Sequence, residues 1–341
     1  MSQIRPIPPA GEFAVPEVFK AVIAASNALA RLDEIAELLE NADVFINAIP
    51  ALEARASCDI ENVVTTHDAI FSADVSSTNV DQNTISAIRL RRALLAGTKV
   101  AKQRGITTKL ATKICTDLMG RQMSLRTQPG TVIRSSGKTI YTPPAPNQLE
   151  RLMSSWEKFA NRDDLLHPTV VMALSHYQFE AIHPFSDGNG RTGRVLNVLQ
   201  LVSAGLLQYP ILHLSKYLND HRDDYYKHLR AVDQNGAWVE WVLFMLEAVR
   251  FSAVDSANKL KSITELQLRF GEKFAVRPDL ADLIFEKPYV QIRQVVERCG
   301  VTRLTASNWL SSLEQQGALK CFQSGREKFF VNHQLVKLLE S

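Results

Sequence analysis

Twelve consecutive residues, His183-Pro-Phe-Ser-Asp-Gly-Asn-Gly-Arg-Thr-Gly-Arg194, gather the groups in this chain that could do chemistry. Gly188 and Gly190 let a backbone turn and approach a ligand closely. Read as a loop running into a helix, the stretch offers its N–H groups and first helical turn as a nest for an anion, aided by the helix dipole. Arg191 and Arg194 stand three apart, on neighbouring positions of one helix face, with forked donors suited to phosphate oxygens. Asp187 is the sole carboxylate here and a candidate ligand for Mg²⁺, which completes its shell with phosphate and water. His183, with a reference pKa of about 6.5, can be neutral at pH 7 and take a proton. Cradle, metal carboxylate and base together describe a phosphoryl- or nucleotidyl-transfer site.

Taken singly, each residue has an ordinary explanation. A histidine ending an apolar helix is usually structural, Gly-Asn-Gly is usually a turn, and arginines on a helix are usually solvated. Nor is this a Walker A loop, because no G-x-x-x-x-G-K-[ST] is present. Only the conjunction carries the chemistry.

Elements on both sides must hold the loop. Apolar periodicity predicts one helix over His167 to Ile182 and another over Arg191 to Ala204. Upstream, β-branched runs flank Ser135-Ser136-Gly137-Lys138 within Thr131 to Pro144, a hairpin signature closed by Pro143 and Pro144. Further helices are expected over Val18 to Leu39, Ala51 to Phe71 (broken near Thr65), Ile85 to Val100, Leu110 to Met119, Leu149 to Phe159, Leu214 to Val232 and Trp238 to Phe251. Pro6, Pro8, Pro9, Gly11 and Pro16 make the first residues an extended arm, and the polar stretch Ser72 to Thr84 a loop. Near the end, helices over Val290 to Arg298 and Thr302 to Gln316, joined at Cys299-Gly300, precede two short strand-like runs around Gln323-Ser324-Gly325-Arg326. That is the order of a winged helix-turn-helix.

The twelve-residue stretch resembles the signature of the Fic family, H-x-F-x-[D/E]-G-N-G-R-x-x-R, at all eight specified positions. With equal residue usage a chance match at a given start is on the order of 10⁻¹⁰, far more specific than a lone glycine pattern. The hairpin with Pro-Pro resembles the family's flap, and Leu214 to Tyr226 its segment after the signature helix. The resemblance implies a mainly α fold: a Fic-type helical core with a β-hairpin flap, plus the C-terminal winged helix. It implies transfer of AMP from ATP to a Ser, Thr or Tyr hydroxyl of a target protein, or of the chain itself, with release of pyrophosphate. His183 would be the base, Asp187 the Mg²⁺ ligand, and Gly188, Asn189, Gly190, Arg191, Thr192, Gly193 and Arg194 the nucleotide cradle, with Tyr226 on the adenosine side. Phe185 would anchor the loop, and the flap would hold the target segment by main-chain pairing.

Ser57-Cys-Asp-Ile-Glu61-Asn62 resembles the family's inhibitory motif, [S/T]-x-x-x-E-[G/N]. On a helix, Ser57 and Glu61 share a face. The family reading pairs Glu61 with Arg194, taking the guanidinium that the ATP γ-phosphate needs. The resulting division is a regulatory helical segment over 1–100, a catalytic core over 101–255 and a winged-helix domain over 285–341.

Composition bounds the alternatives. The 341 residues are 45% hydrophobic and carry Lys+Arg 39 against Asp+Glu 36, so neither disorder nor a general basic coat is indicated. Four cysteines without a C-x-x-C suggest neither zinc nor a disulfide framework. No apolar run approaches the roughly 20 residues needed to span a bilayer, and a cytoplasmic protein is expected. The tail from Phe285 has a balance of +3, and its second helix offers Arg303, Thr305, Ser307, Asn308 and Ser311 with one cation, so docking of protein is preferred over DNA. A DNA-binding regulator with a nucleotide-sensing core, removal of AMP, and another nucleotide donor stay open as alternatives, as does a homodimer in which the brake acts between chains.

Overall fold

The protein is described by a computed structural model covering residues 4–7, 10–39, 41–73, 80–129, 133–135, 138–163, 165–324 and 327–340. The chain is mainly helical. α1 (Pro16–Glu37) starts on a proline at its first turn, where the missing N–H is not needed. α2 (Asp43–Ile60) and the short α3 (His67–Ala73) follow. α4 (Gln82–Arg104) is capped by Asp81, whose carboxylate accepts from the Asn83 and Thr84 N–H groups at 2.9 and 3.0 Å. α5 (Thr108–Met119), α6 (Leu149–Ala160), α7 (Pro168–Ile182) and α8 (Asn189–Ser203) build the centre. α9 (Leu214–Asp220), α10 (Arg222–Asn235) and α11 (Trp238–Phe274) complete that body.

α8 is the hub, packed by α4, α5 and α7. Its residues from Val195 to Val202 are all buried. Gly97 lets α4 come close: a Cβ there would stand 2.7 Å from Leu199 Cδ1. Each fully buried large apolar side chain of this core, Leu199 and Trp241 among them, contributes about 1.5–3 kcal/mol. α1 runs along α11, and α2 lies between α4 and α9.

The expected hairpin is present as β1 (Ile133–Ser135) paired antiparallel with β2 (Lys138–Tyr141), Ser135 opposite Lys138. Ser136 and Gly137 of its turn lie outside the described residues, as do Gly325 and Arg326 of the later one. In the tail, α12 (Pro278–Glu286), β3 (Tyr289–Val290), α13 (Ile292–Cys299), α14 (Arg303–Gln315), β4 (Lys320–Ser324), β5 (Glu327–Val331) and α15 (His333–Glu340) follow in turn. The strands make an antiparallel sheet in the order β3–β5–β4. Gly300, at φ 63°, supplies the left-handed turn after α13.

Several boundaries differ from the sequence reading. α2 begins at Asp43 rather than Ala51 and runs through Pro50, because tertiary burial on α4 and α9 outweighs one lost backbone hydrogen bond. The expected helix over Leu214 to Val232 divides at His221, after Asn219 and Asp220, residues that favour helix ends. α11 continues past Phe251 to Phe274, its buried Ser256, Leu260 and Ile263 keeping the helical stripe. α12 and α15 were not expected; α12 packs on α2, α11 and α13, so the tail is rooted in the helical body before residue 285. No described helix is long and apolar enough to cross a membrane.

Candidate active site

The loop between α7 and α8 is built from both ends. α7 stops at His183, which takes a left-handed conformation at φ 50° and turns the chain out of the helix. Asn189, 2% exposed, then closes the loop: its Oδ1 accepts from the Phe185 N–H at 2.8 Å and its Nδ2 donates to the Phe185 carbonyl at 2.9 Å. Phe185 is fully buried against Phe179, the anchor expected of it. Gly188, at φ 78°, directs the chain into α8, and its N–H bonds Asp187 Oδ1 at 2.6 Å. The N–H groups of Asn189, Gly190 and Arg191 are the first of the helix and have no carbonyl one turn back to bond.

The His183 ring is mostly enclosed. Burial pulls its pKa below 6.5, and the Arg126 charge adds to this, against the Glu180 carbonyl facing the ring. The imidazole is therefore neutral at pH 7, the form that takes a proton.

Arg194 is 1% exposed and is held through two of its three nitrogens. Its Nε donates to Ser57 Oγ at 2.9 Å, and its Nη2 donates to the Ser57 carbonyl and to Glu61 Oε1, both at 2.9 Å. Ser57 and Glu61 thus meet the same guanidinium from the end of α2, as their spacing predicts. Burial raises the Glu61 carboxyl, but the Arg194 charge and hydrogen bond outweigh it and hold the pKa below the ordinary value. Glu61 Oε1 also covers the start of α8: a Cβ on Gly190 would stand 2.4 Å from it. Asn62 follows at φ 59°, the left-handed position after a helix that glycine and asparagine tolerate, and its Oδ1 accepts from Arg222 at 3.1 Å.

The remaining expected residues divide. Arg191 lies 3.6 Å from Asp187, and its Nε is buried without a partner among the described residues. The Asp187 side chain is 55% exposed. Among the described residues no three or more His, Cys, Asp or Glu gather to hold a metal. A lone open carboxylate suits Mg²⁺, whose other ligands are phosphate and water, and does not suit an all-protein cage. Tyr226 lies among the charges of Glu61 and Arg194, beside the site. Thr192 and Gly193, expected at the nucleotide, are turned inward: Thr192 is fully buried beside Cys115, and a Cβ on Gly193 would meet Glu180 Oε1 at 2.4 Å. Helical geometry explains this, since residues adjacent in sequence face 100° apart.

Two contributors carried no sequence signal. Arg126, 6% exposed, donates to the carbonyls of His183 at 2.8 Å, Pro144 at 2.7 Å and Gln128 at 3.1 Å. It ties the loop between α7 and α8 to the exit of the hairpin. Tyr141, at the end of β2, donates its hydroxyl to the Ala181 carbonyl of α7. Both act on backbone carbonyls, which no residue pattern marks.

The Fic/DOC family model matches residues 105–201, the Fic/DOC family N-terminal model 19–99, and the model of the protein adenylyltransferase SoFic-like C-terminal domain 264–335. A protein adenylyltransferase Fic of Culex quinquefasciatus is 41% identical over 96 residues, covering 28% of this chain and 18% of that protein. Its counterpart in Drosophila erecta is 38% identical over 144 residues, covering 40% of this chain and 28% of that protein. The chain thus spans under a third of the length of these curated relatives. In fold, it is similar to a Fic family protein from Desulfovibrio desulfuricans, with TM-score 0.58 and 21% identity over 93% of this chain and 96% of that one. It is also similar to Fic-1 from C. elegans, with TM-score 0.56 and 18% identity over 74% of this chain and 75% of that one.

Proposed function

We propose that this chain, which belongs to the Fic/DOC family, transfers AMP from ATP to a hydroxyl of a protein and holds that activity in check through Glu61. The observation that carries the reading is His183 placed one loop before the N-terminus of α8, with Arg191 and Arg194 on that helix. The curated relatives named protein adenylyltransferases support it.

ATP lies with its phosphates against the first-turn N–H groups of α8 and the Arg191 guanidinium, whose buried Nε lacks any other partner among the described residues. Asp187 would hold Mg²⁺, which when bound neutralises charge on the phosphates. A Ser, Thr or Tyr hydroxyl gives its proton to the imidazole of His183. Its oxygen attacks the α-phosphorus, the bond to the β-phosphate oxygen breaks, and pyrophosphate leaves. The hairpin β1–β2 holds the target segment extended beside the loop, and its position is set by Arg126 and Tyr141.

The brake is the Glu61–Arg194 pair. While Glu61 holds Arg194 and covers Gly190, the γ-phosphate lacks its counter-charge and the α-phosphate is not presented in line. Intact mass and peptide mapping of Glu61→Gly protein incubated with ATP, Mg²⁺ and a host lysate tests the whole reading. Addition of AMP to a hydroxyl is expected; ATP consumption with no adduct on any protein would overturn it. The regulatory segment over 1–100 then serves to carry α2, and the tail over 285–341, in which Arg303 is the sole cation of α14, serves to dock protein rather than DNA.

A further inference from the structure

Charge is unevenly spread along this chain. Residues 82–149 hold twelve Lys and Arg against a single carboxylate, Asp117, so the rest of the chain carries more carboxylates than cations. Asp81, just before them, is taken up in capping α4. The region makes α4, α5 and the hairpin, whose strands carry Arg134 and Lys138 and no carboxylate.

The cations of α4 and α5 share one surface. Arg92, Lys99 and Lys102 are exposed on α4, at spacings of seven and three that keep them on one side of the helix. Lys109 and Lys113 are exposed on α5, one turn apart. The two helices pack together through a connection of residues 105–107, which makes them antiparallel, and α8 packs on both from behind. Arg89, near the start of α4, accordingly donates to the Met119 carbonyl at the end of α5 at 3.4 Å. Of these side chains only Lys113 has a carboxylate within ion-pair distance among the described residues, Asp117 of its own helix. Neighbouring α6 is different: its Glu150, Arg151, Glu157 and Lys158 balance, as on an ordinary solvated helix. The cationic row ends at the candidate active site. There Cys115 Sγ donates to the Asp187 carbonyl at 3.4 Å, and Arg191 Nη2 to Met119 Sδ at 3.7 Å.

We propose that this face of α4 and α5 docks an acidic surface of the protein whose hydroxyl enters the site. The inference rests on the AMP-transfer reading and adds the class of target to it. Single exposed ion pairs contribute little, but a row of like charges speeds encounter with an acidic partner and orients it. The row is about 20 Å long and stops at the loop before α8, so a surface lying along it is delivered to that loop. A nucleic acid fits less well, because a duplex extending past the row meets the net negative remainder of the chain.

Fluorescence anisotropy of the full chain with three labelled probes tests it: a serine peptide rich in Glu, its counterpart with Gln for every Glu, and a short DNA duplex. The acidic peptide should bind, more weakly as salt is added, and the Gln peptide should not. Arg92→Glu and Lys99→Glu together should weaken binding about tenfold or more. Lys109→Glu puts a carboxylate in the first turn of α5, where the helix dipole favours it, and covers the case in which the double variant fails to fold. It should weaken binding about threefold or more. Lys261→Glu, exposed on α11, changes net charge in the same sense and should leave binding near wild type. In the Glu61→Gly background the same reversals should raise the KM for the acidic peptide and leave the KM for ATP unchanged. Binding that depends on the row without AMP transfer upholds the docking face and counts only against the transfer reading. Equal binding of both peptides, tighter binding of the duplex, or an equal loss in Lys261→Glu overturns the proposal.

Discussion

Arg194 and Glu61 stand 133 positions apart in sequence, yet the Nη2 of the one donates to Oε1 of the other at 2.9 Å. The pair is asymmetric: the arginine side chain is 1% exposed, while the glutamate side chain keeps 35% of its surface in water. Arg194 cannot turn to solvent when Glu61 departs, so it needs a replacement anion. On the proposed reading, the same guanidinium is both the lock and the nucleotide contact.

Removing Glu61 therefore has two linked effects. Glu61→Gly should raise AMP transfer strongly, by about tenfold or more. It should also lower the melting temperature, since an unpaired buried charge costs about 3–5 kcal/mol. ATP should restore much of that loss. Equal transfer rates for both forms, with labelled ATP and Mg²⁺, would remove the brake from the mechanism.

His183→Ala, made in the Glu61→Gly background, should abolish transfer while ATP binding survives. Retained transfer means that the proton goes elsewhere. Because burial depresses the His183 pKa, the activity of Glu61→Gly should fall only when pH drops below about 6.5 and should be flat above it. A rate still rising between pH 7 and 8 contradicts the neutral base.

Gly190→Ala sets a methyl group 2.4 Å from Glu61 Oε1. It should destabilise the wild-type protein more than the Glu61→Gly protein. A double-mutant cycle should give a coupling of about 0.5–3 kcal/mol between these positions. Additive effects would place Glu61 away from α8 in solution.

Arg126 acts on backbone rather than substrate, as a positioning residue. Arg126→Gln should lower kcat for target modification in the Glu61→Gly background and leave the KM for ATP near its original value. The opposite split would assign Arg126 to nucleotide binding.

Glu180 is enclosed, and burial raises its carboxyl from 4.5 to about 7. A raised carboxyl contributes its stability below the unfolded-state value and loses it as pH rises through the folded-state value. Glu180→Gln should therefore gain stability relative to wild type between pH 5 and pH 8, approaching about 3 kcal/mol. Melting temperatures with a constant difference across that range would show Glu180 to be solvated.

The candidate groups were legible where they are local. His183, Asp187, Arg191 and Arg194 sit within one loop and the turn after it, and a spacing of three puts Arg191 and Arg194 on neighbouring positions of one helix face. The helices around them were legible for the same reason, through apolar periodicity. Thr192 and Gly193 were expected at the nucleotide from the family resemblance, and helical rotation turns their side-chain positions inward. The run of α2 through Pro50 was hidden because a local rule, proline ending a helix, lost to burial on two neighbours.

By itself, then, the amino-acid sequence determined the glycine-rich loop before α8, the i,i+4 stripe of Ser57 and Glu61, and the mainly helical class. These depend on neighbours within a turn or two of chain. Tertiary structure alone decided that Ser57 and Glu61 meet Arg194, that Arg126 and Tyr141 fasten loop and hairpin through backbone carbonyls, and that Arg89 reaches from the start of α4 to the Met119 carbonyl. Such contacts join residues that are distant in sequence, and their partners are main-chain atoms or charges on remote helices, neither of which leaves a mark in residue type or spacing.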